Sequence, residues 1–348
     1  MNPNPRWTRR PEGSNWGDFG PDDELGRLNL LTPEKVRQGI AEVREGLSFC
    51  LSLPLDYPGG NLLNPWRFPP ELSPALQDGT PRINLSMARL DPANTDVVSD
   101  DRVLLYTQYS TQWDSLAHIG CHFDADGDGV DEKVYYNGYR AGEHVVGPAD
   151  EGVPDGTPDG RHVGARALGV ENMAVKAIQG RGVLVDLCAH FGRECRTVDY
   201  DELMGVMEAD GVAVEPGDIL LLRTGFAELV LEMGREPDPA RLHDACAALD
   251  GRDDRLLDWI TTSGVAAICA DNYAVEAYPA RPAPGPRPAL PLHQHCLFKL
   301  GLPLAELWYL AELAAWLRDH GRSRFLLTAP PLRLPGAVGS PVTPVATV

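Results

Sequence analysis

Three nearly continuous apolar runs constrain the fold more than any other feature. GVLVDLCAH (182–190), the centre of PGDILLLRTG (216–225) and GVAAICADN (264–272) are each too short for a helix and are closed by Gly, Asp or Asn. Strands buried on both faces have this pattern, because neither side of the pleat meets water. Between them, VDYDELMGVMEADGVAV (198–214) has helical periodicity up to Gly211, and a second helix is expected through 239–260. Strands alternating with helices imply an α/β fold with parallel pairing, since a parallel neighbour is reached only by a crossover.

The flanks are more β-like. LTPEKVRQGIAEVREG (31–46) predicts a helix with Thr32 as cap, Pro33 at the first helical position and Val36, Ile40 and Val43 on one face. LSFCLSLPL (47–55) predicts a strand, and DRVLLYTQYSTQWD (101–114) begins with strand character. Residues 56–101 are rich in Pro, Asn and Asp and predict long loops of the kind that carry function or a subunit interface. A Gly/Pro/Asp-rich run extends to about residue 164, and ENMAVKAIQGRG (171–182) predicts a short helix. Residues 279–295 predict a loop until about Leu290, 302–321 an amphipathic helix, and 323–347 a strand with a Pro-punctuated tail. Residues 1–25 read as an arm lying on the surface or on a neighbouring subunit, with 26–348 as a single domain.

Composition narrows the class of function. The net charge is −19, which repels phosphate backbones and anionic lipid, so neither nucleic acid nor a membrane surface is an expected partner. No apolar run is long enough to span a bilayer, and the first residues hold no apolar signal core. The seven cysteines are scattered with no CxxC pair, which points to reduced thiols in a cytoplasmic protein. There is no GxGxxG after a strand, no P-loop and no GxSxG.

The chemistry concentrates in STQWDSLAHIGCHFDADGDGVDEKVYYNGY (110–139). Asp114 and His118, four positions apart, suit a metal or a base held by an orienting acid; a capping Asp with a core His is the alternative. His118, His122 and Asp124 form a second candidate ligand set, with Gly120 allowing a tight backbone. DADGDG (124–129) resembles the start of a calcium loop, but Tyr135 stands where a bidentate Glu is needed. It reads as a solvated turn, with a weak calcium site as the alternative. Late in the chain, His293 and His295 are equal candidates by chemistry, Glu306 follows thirteen residues after His293, and Asp271 and Asn272 end a buried strand where α/β proteins place ligand contacts.

QWDSLAH, YNGY, PGDILLLRTG, CADNYAVE, PLHQHCLFKLGLPLAELW and FLLTAPPLRLPGAVGSPVTPV together resemble the metal-dependent cyclase family, which includes bacterial kynurenine formamidase and isatin hydrolase. Any one motif is weak, but six in order are specific. The N-terminal GPDDELGRLNLLTPEKV is similar to the longer members, and the resemblance runs from about Trp16 to Val345. It implies a swivelling β/β/α fold with a mixed sheet, a homo-oligomer (dimer or tetramer), and zinc- or manganese-dependent hydrolysis of a C–N bond in a small-molecule substrate. The family signature, H-x-G-T-H-x-D-x-P-x-H with a distal His and Glu, fits in two registers. One keeps Asp114 and His118 and places Gln108 and Gln112 where two His ligands are expected; the other keeps His118, His122 and Asp124 and places Asp128 at the acid/base position. The first is preferred because the flanking QWD and YNG segments match the long members.

In that register the resemblance implies one metal held by Asp114, His293 and Glu306, with Gln112 as a weak helper, since amide oxygens are poorer zinc ligands than imidazole. His122 is an extra ligand outside the usual pattern. His118 would move the proton between water and leaving nitrogen, with Asp114 binding metal or orienting it, and Trp113, Trp66 and Tyr139 would wall a ring-bearing substrate beside Asp271 and Asn272. Two other readings stay open: a metal-free lyase or cyclase of secondary metabolism using His118 and Asp114, and a non-catalytic small-molecule binding protein.

Overall fold

The computed structural model describes residues 6–148 and 163–348. The first five residues of the expected arm and most of the end of the Gly/Pro/Asp-rich run lie outside them. Nine strands form one mixed sheet: β1 (Ser48–Cys50), β2 (Gln112–Asp114), β3 (Gln179–Asp186), β4 (Ile219–Arg223), β5 (Ala267–Ala270), β6 (Leu304–Glu306), β7 (Arg324–Thr328), β8 (Gly339–Pro341) and β9 (Val345–Thr347). Their spatial order is β1-β9-β7-β3-β4-β5-β6-β2-β8. The three apolar runs become β3, β4 and β5, side by side and parallel, with β6 parallel beyond β5. Every other pairing in the sheet is antiparallel. Both faces of the central strands are covered, which is why they read as unbroken hydrophobic runs.

Five helices matter below: α1 (Pro33–Ala41), α2 (Tyr200–Ala209), α3 (Phe226–Glu232), α4 (Asp254–Ser263) and α5 (Ala311–Asp319). α2 begins at a capping box in which Asp199 and Glu202 satisfy each other's backbone N–H. In α1 Thr32 caps and Pro33 leads, but the helix stops at Ala41 and turns a different face inward. Ile40 is 54% exposed, whereas Lys35 is buried with its ammonium 2.8 Å from Asp218. Arg181 binds the same carboxylate through two bonds of 2.9 and 3.0 Å. An ionic contact, rather than the Val36–Ile40–Val43 stripe, docks α1 on the sheet.

Two predicted helices are corrected. The span 239–260 divides into a helical turn (Pro239–His243), a short strand (Ala247–Leu249) paired with Arg196–Val198, and α4. Asp253 starts α4 afresh by accepting from Arg255 N, and Cys246 sits at φ 67, a conformation no helix continues through. The span 302–321 opens as β6, breaks at Leu307 (φ 56) and becomes helical only at α5. Leu304 pairs with Ile268 on one side and Asp114 on the other, so two ladders override local helix propensity. The run 182–190 is a strand only to Asp186, whose side chain then caps a helical turn.

The N-terminal segment is not a surface arm along its length. Trp16 is fully buried, donates to the Phe298 carbonyl (2.8 Å) and packs edge-on against Phe298 and Phe123. Residues 56–101 are irregular apart from short ribbons, as expected, and Glu71–Pro74 pairs with Asp101–Leu104. Among the described residues, no helix is long and apolar enough to cross a membrane.

Asp271 and Asn272 stand at the end of β5 but serve the fold rather than a ligand. Asp271 accepts from Thr224 N (2.7 Å), Thr224 Oγ1 (2.6 Å) and Gly225 N (2.8 Å), tying β5 to the start of α3, while Asn272 donates to the Ala247 carbonyl (3.0 Å). Burial, helped by nearby Glu228, pushes the Asp271 carboxyl up to about 7 against these three donors.

Two stability measurements follow from these buried groups. Asp218→Ala leaves buried Lys35 and Arg181 with only the half-exposed Glu215, at 3.6 and 2.7 Å, and urea denaturation should show a loss of about 3 kcal/mol. Asp271 titrates higher when folded than in the unfolded chain (about 3.9), so its contribution is complete below about pH 4 and is lost as pH rises through about 7. Between pH 8 and pH 5 the wild type should gain about 2–3 kcal/mol relative to Asp271→Asn; parallel pH profiles for the two would refute this.

Candidate active site

The site grows out of the pleat of β2. Successive strand side chains point to opposite faces, so Gln112 and Asp114 share one face and Trp113 takes the other. Trp113 is fully buried, packs edge-on against Trp308 (5.4 Å) and donates to the Ala329 carbonyl (2.8 Å). It is core rather than a substrate wall. Antiparallel pairing then sets Glu306 of β6 opposite Gln112, and Gln112 Nε2 donates to Glu306 Oε2 (3.1 Å). Glu306 therefore reaches the site from a strand, not from a helix.

His118 is brought back by a tight turn after β2, in which Ser115 N donates to the Val338 carbonyl and His118 N to the Ser115 carbonyl (both 3.0 Å). His293 ends the helical turn Pro291–His293 that follows the Pro-rich loop. His293 Nε2 lies 3.2 Å from Glu306 Oε1 and 3.9 Å from Asp114 Oδ2; His118 Nε2 lies 4.0 Å from Asp114 Oδ1. The structure thus brings together Asp114, Gln112, His118, His293 and Glu306.

Three residues complete the frame, and the sequence had not marked them for these jobs. Glu276 accepts from His293 Nδ1 (2.8 Å), His293 N (2.9 Å) and Leu292 N (3.0 Å), which fixes both the ring and its turn. Its seventeen-residue separation from His293 hides the pairing, although an acid in the loop beyond β5 was a visible signal. Gln108, seen only as a position where a His was expected, donates through Nε2 to both Asp114 Oδ1 and His118 Nδ1, the latter at 3.1 Å. Because His118 Nδ1 accepts, the neutral ring carries its proton on Nε2. Arg67 donates to the Gln108 carbonyl (2.7 Å). Two glycines make room: a Cβ at Gly251 would collide with Glu276 Oε2, and one at Gly339 would come within 2.6 Å of Gln108 Cδ.

Electrostatics separate the groups. Burial opposes charge on His293, but its hydrogen bonds and charge contacts with Glu276 and Glu306 win and raise it to about 10. Burial would likewise raise Glu306, and His293 outweighs it, so that carboxyl lies below its ordinary range. Asp114 is raised and His118 lowered, in both cases chiefly by burial. Asp114 Oδ2 and Gln112 Oε1 are buried with no hydrogen-bond partner.

The other candidates lie elsewhere. His122 is exposed on a hairpin (Cys121–Phe123 with Glu132–Val134), so the register through His118, His122 and Asp124 does not assemble. Asp124 instead accepts from Gly127 N (2.7 Å), Gly129 N (3.2 Å) and Arg9 (2.7 Å), and Asp126 and Asp128 accept from the N–H groups that follow. The turn is pinned by the N-terminal segment with Asp128 exposed, and one oxygen from each of Asp124, Asp126 and Asp128 lies within 4.8 Å of the others, the spacing that the weak calcium alternative requires. His295 faces away and lies 2.8 Å from Thr261 Oγ1. Tyr139 donates to the Asp22 carbonyl (3.1 Å) beneath the Arg6 guanidinium, and Trp66 is 78% exposed. None of these lines the cavity of about 210 Å³ that opens over His118, His293 and Glu306; its walls include Tyr109, Tyr273 and Leu290.

Comparison with known proteins agrees with this architecture. A solved structure described as a novel cyclase is 29% identical, with a TM-score of 0.71, covering 96% of this chain and 97% of that one. Isatin hydrolase A from Ralstonia solanacearum (16% identical, TM-score 0.52) and from Labrenzia aggregata bound to benzyl benzoate (13%, 0.51) share the fold, each covering 90% of this chain and 97% of its own. No curated protein sequence matches. The sequence model of the cyclase family, described as "Putative cyclase", matches residues 64–277, more than half of the chain, and the protein therefore belongs to that family.

Proposed function

We propose that the protein is a metal-dependent hydrolase of a C–N bond in a small amide, lactam or formanilide. The observation that carries this is the partnerless Asp114 Oδ2, buried and facing His293 Nε2 and Glu306. Buried carboxylate oxygens are rarely left unsatisfied, and a cation is the group that Asp114, His293 and Glu306, with ligand atoms within 4.8 Å of one another, fit. Gln112 Oε1, also partnerless, would be the fourth ligand and third oxygen. Gln108 is committed to Asp114 and His118 and is not a ligand. This oxygen-rich set suits manganese at least as well as zinc. A bound cation would polarise the scissile carbonyl and acidify a water.

The chain's own residues do the rest. His118 presents Nε2–H to the cavity as a hydrogen-bond donor to the carbonyl oxygen and the departing nitrogen, while the water supplies its hydroxyl to the carbonyl carbon and its proton to that nitrogen, so the ring is unchanged over the turnover. Gln108 holds the ring in the required tautomer, and Asp114 is fixed by the same amide. Glu276 aims His293, the second partner that a metal-binding imidazole ordinarily has.

Elemental mass spectrometry on protein purified without chelator should find near one equivalent of zinc or manganese per chain, lost in Asp114→Asn and kept in His118→Ala. Hydrolysis of formanilide should fall about 10²-fold or more in His118→Ala. Trace metal only, with none recovered on adding it back, would replace this reading with metal-free proton-transfer chemistry or simple binding.

A further inference from the structure

The cavity carries charges of both signs. His118, His293 and Glu306 line it with Asp114 buried behind them, and of the residues that line it Arg67 is the one permanent cation. The Arg67 side chain is half-buried, and its one hydrogen bond among the described residues is the 2.7 Å donation to the Gln108 carbonyl. No carboxylate among the described residues pairs with it, although the chain carries 50 acidic residues against 31 basic ones. The arginines on neighbouring elements are spent differently: Arg223 binds Asp186 and Glu228, and Arg235 binds Asp56. A guanidinium has five N–H donors in a fork matched to a carboxylate, so most of this one's capacity faces the cavity unused. Tyr109, Tyr273, Tyr278 and Leu63 line the same cavity and give it an apolar and aromatic surface suited to a ring.

We propose that Arg67 receives a carboxylate of the substrate, so that the molecule turned over is an anionic, ring-bearing amide held with its carboxylate on Arg67, its ring on the tyrosine wall and its carbonyl over the floor. The amide rests on the proposed hydrolase reading; the carboxylate does not. A neutral substrate would close over a half-buried guanidinium and leave its donors without partners, whereas an anionic one forms charge-assisted bonds. Arg67 thereby selects the substrate and also braces the backbone of Gln108, joining recognition to the residue that orients Asp114 and His118.

The test is binding of three probes to the full chain by titration calorimetry: acetanilide, 2-acetamidobenzoate and 4-acetamidobenzoate. One carboxylate isomer or both should bind about tenfold tighter than acetanilide. That preference should collapse to within about twofold in Arg67→Gln and survive in part in Arg67→Lys, a point charge without the fork. Asn64→Asp, which sets a carboxylate in the cavity wall one turn from Arg67 and keeps the Arg67 side chain itself, should reduce it as well. Equal binding of neutral and anionic probes, no binding of any of the three, or a preference unchanged in both Arg67→Gln and Asn64→Asp would overturn the proposal. A clear preference with no hydrolysis of any formanilide would keep the carboxylate site and remove the hydrolase reading; hydrolysis without preference would do the reverse.

Discussion

The pairing of β6 with β2 is the contact on which the site rests. Glu306 stands opposite Gln112, and Leu304 opposite Asp114, because a short strand has been inserted between the parallel β5 and the antiparallel β2. A shift of one residue in that register would turn Glu306 into the core and bring Ala305 to the cavity. The same alternation places Trp113 behind the sheet, and the break at Leu307 (φ 56) lets Trp308 meet it there, where their edge-on contact and the Trp113 bond to Ala329 brace the floor. Packing on one face and chemistry on the other are thus set by a single ladder.

Around that ladder the buried charges are arranged to satisfy one another, with one gap. His293 lies between Glu276 and Glu306, and Gln108 bridges Asp114 and His118. Among the buried oxygens of this floor, Asp114 Oδ2 and the side-chain Oε1 of Gln112 are left over. Replacement of expected imidazoles by Gln108 and Gln112 has a physical consequence beyond weaker ligation. An amide can donate, so Gln108 orders the acid–base pair while Gln112 ties Glu306 to the strand. The close approaches at Gly251 and Gly339 show how tightly the surrounding backbone is drawn against Glu276 and Gln108.

Elsewhere, polar groups that resemble sites also hold the chain together. The DADGDG turn binds its own N–H groups and Arg9, Tyr139 holds residue 22, and Asp271 starts α3. In each case a polar group has a partner within reach in the folded chain, whether a donor or an acceptor, and that partner satisfies it.

The sequence by itself determined the three central strands, because a strand buried on both faces must be apolar throughout, and it determined the residue types of the floor, because few side chains can bind a cation or move a proton. It also held the clue that Trp113 could not share a wall with Gln112 and Asp114, since the period of a strand is two. The tertiary structure alone decided that Leu304–Glu306 is a strand, that Lys35 rather than the Val36–Ile40–Val43 stripe meets the sheet, and that Glu276, Gln108 and Arg67 serve the site. These depend on groups far apart in the chain meeting in space. Local propensity carries no record of such meetings, because the energy that decides them comes from the partner strand, the buried counter-charge and the donor across the cavity.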